Sequence, residues 1–288
     1  MFCHPTGVTT MRWVIAGAGA LAWMAAVSPS GAADIPAAPP IAKAPAKVEF
    51  QQRWYGFYIG AHGGYAWGRN AIQATPDAFY GPLFASGAVP ASLAGNPRRF
   101  VGGITYGSNY QFDRVVVGFD SDFSYTDIKS SQIANGTFIG IPITSTANQK
   151  LSWFSTTRVR GGFLLSDNIL LYATGGLANG RIDASNNNIA MIAGGCTVAG
   201  ACPAGSITKN LWGWAAGGGI EFAAGPWQFR TEYLHYDLGT VNYVMTDAVV
   251  PLNFIGNSLK VSGDMVRGAI TYRFNWTPLG LIFGSDHI

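Results

Sequence analysis

From Trp227 to Tyr233 the chain alternates strictly between two kinds of residue. Trp227, Phe229, Thr231 and Tyr233 fall at one parity, and Gln228, Arg230 and Glu232 at the other. A period of two is the signature of a β-strand, whose successive side chains point to opposite faces. The run at the end of the chain repeats it. Val266, Gly268, Ile270, Tyr272 and Phe274 share one face; Met265, Arg267, Ala269, Thr271 and Arg273 share the other. The larger, more aromatic face thus lies opposite a face that carries Arg and Glu. A dry protein core accepts such charges only when they are paired. A sheet that is apolar outside and charged inside satisfies both faces by closing into a barrel within a lipid bilayer.

Composition bears on the same point. Charged residues make up only 11% of the 288 positions, against roughly 25% in soluble domains. Yet the longest nearly apolar stretch, Trp13 to Val27, falls short of the ~20 residues of a spanning helix. The apolar content must therefore sit in short alternating segments, which favours a membrane barrel over membrane helices. A net charge of +3 with no Arg/Lys cluster gives no support for nucleic-acid binding.

Taken in order, residues 1–33 have the plan of a secretory signal peptide: Arg12, the apolar run Trp13–Val27, then small residues at Ser30–Ala33. No Lys or Arg precedes Met11, so the start is either Met1 or Met11. Residues 34–53 are rich in Pro and Ala and predict an extended periplasmic linker. Eight strands are predicted between 54 and 274, at about 54–67, 99–112, 115–127, 151–165, 169–182, 212–222, 227–237 and 261–274. Tight turns at Asp113-Arg114, Ser166-Asp167-Asn168 and Gly225-Pro226 follow strands two, four and six. Loops of about 20 to 30 residues follow strands one, three, five and seven, which is the short-turn, long-loop asymmetry of outer-membrane barrels. Both ends of the barrel segment then lie on the periplasmic side. The fold class is all-β, an eight-stranded antiparallel up-and-down transmembrane β-barrel.

Four segments add a resemblance. Trp54-Tyr-Gly-Phe-Tyr-Ile-Gly-Ala-His-Gly-Gly-Tyr-Ala-Trp-Gly68 is similar to the first strand of small outer-membrane barrels of the opacity and outer-membrane immunogenic type. Leu171–Ala178, Glu232–Gly239 and Val266–Phe274 resemble later strands of that family. The resemblance spans about Trp54 to Phe274. It implies eight antiparallel strands, an outer-membrane location and no catalytic activity. Family members end at the last strand's Phe, which the assembly machinery recognises; here a tail, 275–288, follows Phe274.

The interior of an eight-stranded barrel is just wide enough for side chains to fill it. Asp120, Asp122, Arg158, Arg160, Glu221, Arg230, Glu232, Arg267 and Arg273 fall on the polar faces. They predict a lumen of ion pairs and water, with a narrow conducting path as the alternative. Aromatics near the strand ends, among them Trp54, Trp67, Trp153, Trp212, Trp227 and Trp276, predict interfacial girdles. Cys196 and Cys202 in the loop after strand five predict a disulfide in an oxidising compartment. His62 and His235 have no evident Ser and carboxylate beside them, as a lipid-modifying enzyme would need. No metal-ligand or cofactor motif occurs. The expected partners are outer-membrane lipid and lipopolysaccharide, the barrel-assembly machinery, and host or surface ligands meeting the long loops. The leading function is a structural, surface-exposed barrel; a small porin and a lipid-modifying enzyme are the alternatives.

Overall fold

The computed structural model describes residues 54–68 and 70–274. The expected signal peptide, linker and C-terminal tail, with Cys3 and Trp276, lie outside the described residues. Ten strands form one antiparallel sheet: β1 (Gly56–Gly68), β2 (Asn70–Pro76), β3 (Ser92–Gly95), β4 (Arg98–Phe112), β5 (Val115–Phe138), β6 (Ile141–Ser166), β7 (Ile169–Ala190), β8 (Ala204–Ala224), β9 (Trp227–Thr246) and β10 (Phe254–Phe274). The order β1-β4-β5-β6-β7-β8-β9-β10 returns to β1, so eight strands close a ring. The closing ladder runs from Phe57↔Phe274 to Gly68↔Gly263. β2 carries the first barrel strand onward along β10, from Leu259↔Ile72 to Ile255↔Pro76, and β3 pairs back onto β2.

The ring and its eight strands agree with the sequence, but the strands are far longer than expected. Residues 128–150, predicted as a loop, continue β5 and β6 in register to a turn at Ile139-Gly140. The stretches after predicted strands five and seven likewise extend β7, β8, β9 and β10. A tilted strand spans a bilayer with roughly 9–11 residues, whereas β6 has 26. More than half of its length therefore stands beyond the membrane. For the same reason Trp153, Trp212 and Trp214 sit in mid-strand, not near strand ends. The short turns between β4 and β5, β6 and β7, and β8 and β9 fall where the sequence puts them.

Bulges reset the facing of two strands. On β6 Phe154 and Leu151 both point inward across the irregularity between Leu151 and Trp153. On β9 Gly239 adopts a φ of 79°, and the inward set moves from Leu238 to Val241. One extra residue in a strand re-aims the side chains beyond it.

Candidate functional site

The lumen is layered, and the layers can be followed along single strands. Inward positions of β9 run Gln228, Arg230, Glu232, Leu234, Tyr236, Leu238 from the short-turn end. Those of β6 run Leu164, Arg160, Arg158, Thr156, Phe154 in the same direction. Alternation thus places the charges at one height and apolar residues above and below them.

Four guanidiniums and four carboxylates interlock in the middle layer. Arg158 reaches Asp120 at 2.8 Å, Asp122 at 2.9 Å and Glu232 at 2.6 Å. Arg267 reaches Asp122 at 2.7 Å and Glu232 at 2.9 Å. Arg160 pairs with Glu221 at 2.5 Å, and Arg230 with Asp120 at 3.3 Å. All eight are buried. The ninth residue of the predicted set, Arg273, faces the same lumen near the short-turn end. There its Nη2 donates to the Gly225 carbonyl at 3.4 Å instead of joining these pairs.

Neutral residues knit the charges together. The Tyr58 hydroxyl donates to Asp120 at 2.9 Å and accepts from Arg160 at 3.3 Å. Thr156 donates to Asp122 at 2.6 Å, and Thr105 bonds Asp120 at 3.1 Å and Arg230 at 2.5 Å. Arg160 lies 4.1 Å above the Tyr172 ring. Gly219 makes room there: a Cβ at Gly219 would lie 2.8 Å from the Tyr172 hydroxyl. Tyr58, Thr105, Thr156 and Tyr172 are uncharged and did not stand out in the sequence as members of the lumen network. Parity alone could have found Tyr58, which stands opposite Phe57 and Ile59.

Apolar layers enclose the charges. Toward the short turns Trp54, Val116, Leu164, Leu170, Tyr172 and Ala223 pack together. Trp54 is completely buried, and its indole N–H donates to the Asp167 carbonyl at 3.0 Å. On the other side a larger cluster fills the barrel, including Leu151, Phe154, Ile182, Leu234, Tyr236, Leu238 and Met265. The rings of Phe154 and Tyr236 stand 4.9 Å apart across it. Outward of the ion pairs the lumen holds this aliphatic and aromatic cluster together with buried polar residues such as Thr126, Ser130, Gln149 and Asn186.

The connection between β2 and β3, with helix α1 (Gly81–Ala85), covers the far mouth. Tyr80 packs on Met245 and Ile255; Leu83, Phe84, Ala88 and Val89 pack on Phe138, Ile143 and Ala190. Asp77 fastens this segment, taking N–H bonds from Phe79 and Tyr80 at 3.0 Å and from Phe254 at 2.9 Å. Cys196 and Cys202 are bonded in the connection between β7 and β8, with Cα atoms 5.1 Å apart. The Cys202 N–H donates to Asp247 at 2.9 Å.

Each of the two described histidines has one partner of the kind a catalytic set would need. His62 faces the lumen and meets the Ser124 hydroxyl at 2.9 Å. His235 lies on the outer wall, where Nδ1 meets Asp264 at 2.8 Å and the Tyr233 hydroxyl donates to the same oxygen at 2.6 Å. The two pairs sit on opposite faces of the wall. Among the described residues no group of three or more His, Cys, Asp or Glu is placed to hold a metal ion.

The outer wall is apolar where the lumen is charged. Ile59, Ile104, Phe119, Val159, Leu171, Ile220, Phe229 and Ile270 are exposed there. An antiparallel sheet that closes on itself and turns this face outward is built to stand in lipid, and the protein is an outer-membrane β-barrel. The chain belongs to the family described as the outer membrane protein beta-barrel domain, whose profile matches residues 23–278. The 31 kDa outer-membrane immunogenic protein of Brucella melitensis biotype 1 is 31% identical over 245 residues, covering 84% of this chain and 92% of that one. The 22 kDa outer membrane protein of Rhizobium leguminosarum bv. viciae is 26% identical over 211 residues, covering 72% and 75%. Among solved structures, OprG from Pseudomonas aeruginosa aligns over 78% of this chain and 98% of its own, at 13% identity and a TM-score of 0.44.

Proposed function

We propose that the protein is a sealed, non-catalytic barrel that supports the outer membrane and presents its projecting strands and lid to the outside. The observation that carries this reading is the filling of the lumen: a layer of interlocked ion pairs flanked on both sides by apolar clusters, under a lid. A permeating ion would have to displace buried salt bridges and then cross an aliphatic plug, where a bare charge is strongly disfavoured. The separation of the two histidine pairs by the wall argues against lipid-modifying chemistry. Partners then meet the lid, the β5–β6 tip and the disulfide-bonded connection, and the barrel-assembly machinery handles the closing strands. Planar-bilayer recording with the full chain tests the sealed state. Flat traces are expected; steady, ion-selective steps would establish a porin instead.

A further inference from the structure

Four neighbouring strands carry an ordered polar shelf on their outer wall. Tyr125, Trp153 and Arg181 stand in one cross-strand row. The next row outward is Lys129↔Lys150↔Asp183↔Thr208, in register on β5, β6, β7 and β8. The row beyond it is Ser131↔Asn148↔Ser185↔Ser206. Both rows border a shallow groove of about 340 Å³.

Two lysines directly opposite each other across a ladder repel. Asp127, within the irregularity between Tyr125 and Ile128 on β5, answers them together, at 2.6 Å from Lys129 and 3.2 Å from Lys150. Asp183 is engaged by hydroxyls, Ser152 at 2.9 Å and Thr208 at 2.6 Å, with Arg181 at 3.7 Å. Three cations therefore face two carboxylates, an excess of one positive charge. The lysine side chains remain 51% and 41% exposed, so a further anion has access to them. Across the barrel Lys260 has its own carboxylate, Asp237, at 3.0 Å.

Position selects the anion. Tyr125 and Trp212 are 70% and 69% exposed and mark the aromatic boundary below the shelf. Such rings sit at the bilayer interface, which places the lysine row at headgroup height and the Ser/Asn row just beyond it. We propose that this shelf binds the headgroup of a phosphorylated glycolipid of the surrounding bilayer. Its phosphate meets Lys129 and Lys150 by charge-assisted hydrogen bonds. Its sugar hydroxyls meet Ser131, Asn148, Ser185 and Ser206, and its chains lie along Tyr125 and Trp212. A plain phospholipid would use the lysine row alone, and a free phosphate would leave the rings without a contact. The site rests on the outer wall, so its fate is independent of whether the lumen conducts.

Native mass spectrometry of the full chain in detergent micelles tests this, with three probes: a bis-phosphorylated disaccharide lipid, phosphatidylglycerol and inorganic phosphate. The glycolipid is expected to be retained most tightly. K129Q and K150Q should each weaken it roughly fivefold, the worth of one basic side chain at an anionic membrane surface, and the double variant about 25-fold. N148A should weaken the glycolipid and leave phosphatidylglycerol unchanged. K260Q should bind as the wild type does. Equal loss in K260Q would reduce the effect to net charge, and equal retention of phosphatidylglycerol would remove sugar recognition. Retention of phosphate alone, or of no probe, would also overturn the proposal. Heat-modifiable migration confirms that each variant is folded before it is titrated.

Discussion

At the residue scale, the barrel wall divides side chains by parity, and the two faces fail differently. Arg158 meets three carboxylates in a buried layer. Arg158→Ala would leave Asp120, Asp122 and Glu232 short of a cation, and breaking one side of a buried pair costs about 3–5 kcal/mol. The variant is expected to insert and then unfold at lower urea concentration. Ile270 faces outward and is 51% exposed. Ile270→Arg would set a charge among acyl chains at roughly 2–4 kcal/mol near the midplane, so its yield in the membrane fraction should fall. Gel migration with and without heating, over a urea series, separates the two. Normal insertion of Ile270→Arg would mean that the β10 register is off by one residue. The parity of these positions was legible because charge and aromatic content differ sharply between the faces. The partner assignments were not, since Arg158 and Glu232 are 74 residues apart in the chain.

At the element scale, the sequence located the membrane-embedded parts of the strands and missed their extensions. Between Ile128 and Lys150 both faces meet mostly small or polar side chains, Ser130, Ser131, Gln132, Asn135, Thr144 and Ser145 among them. A strand with water outside and a narrow interior within has little contrast to betray its period. The bulges at Ser152 and Gly239 further exchange the inward parity in mid-strand, which no fixed alternation can follow. The lid was invisible for another reason: its contacts join elements far apart in sequence. Its clamp has a pH signature. Partial burial pushes the Asp77 carboxyl up, but N–H donation from Tyr80, Phe254 and Phe79 outweighs this and holds it below the ordinary carboxylate range. A carboxyl depressed in the folded state adds stability that is present above its unfolded value. That stability is lost as pH falls through the folded value. Limited proteolysis with an acid-active protease should therefore cut the segment between β2 and β3 faster as pH drops through the range where carboxylates titrate. Asp77→Asn should weaken the clamp at neutral pH and flatten the pH response. An unchanged cleavage profile in Asp77→Asn would mean that the Tyr80 packing alone holds the lid.

At the scale of the whole molecule, the first and last barrel strands are partners, with Phe57 beside Phe274 and both on the short-turn side. The ring consequently has no structural beginning. Every one of its eight seams is an antiparallel ladder, and the seam between β1 and β10 differs from the others in having no chain connection between its two strands at either end. A short linker from Phe274 to Trp54, with the chain reopened at Asp113-Arg114, would preserve all eight ladders and the inward and outward side chains, Trp54 among them. Such a circular permutant is expected to refold into detergent micelles with the same heat-modifiable migration as the parent. If it does not, the identity of the terminal strand matters to assembly in a way that its hydrogen bonds do not express. Where a genome cuts this closed figure is, on physical grounds, a matter of synthesis order and not of architecture.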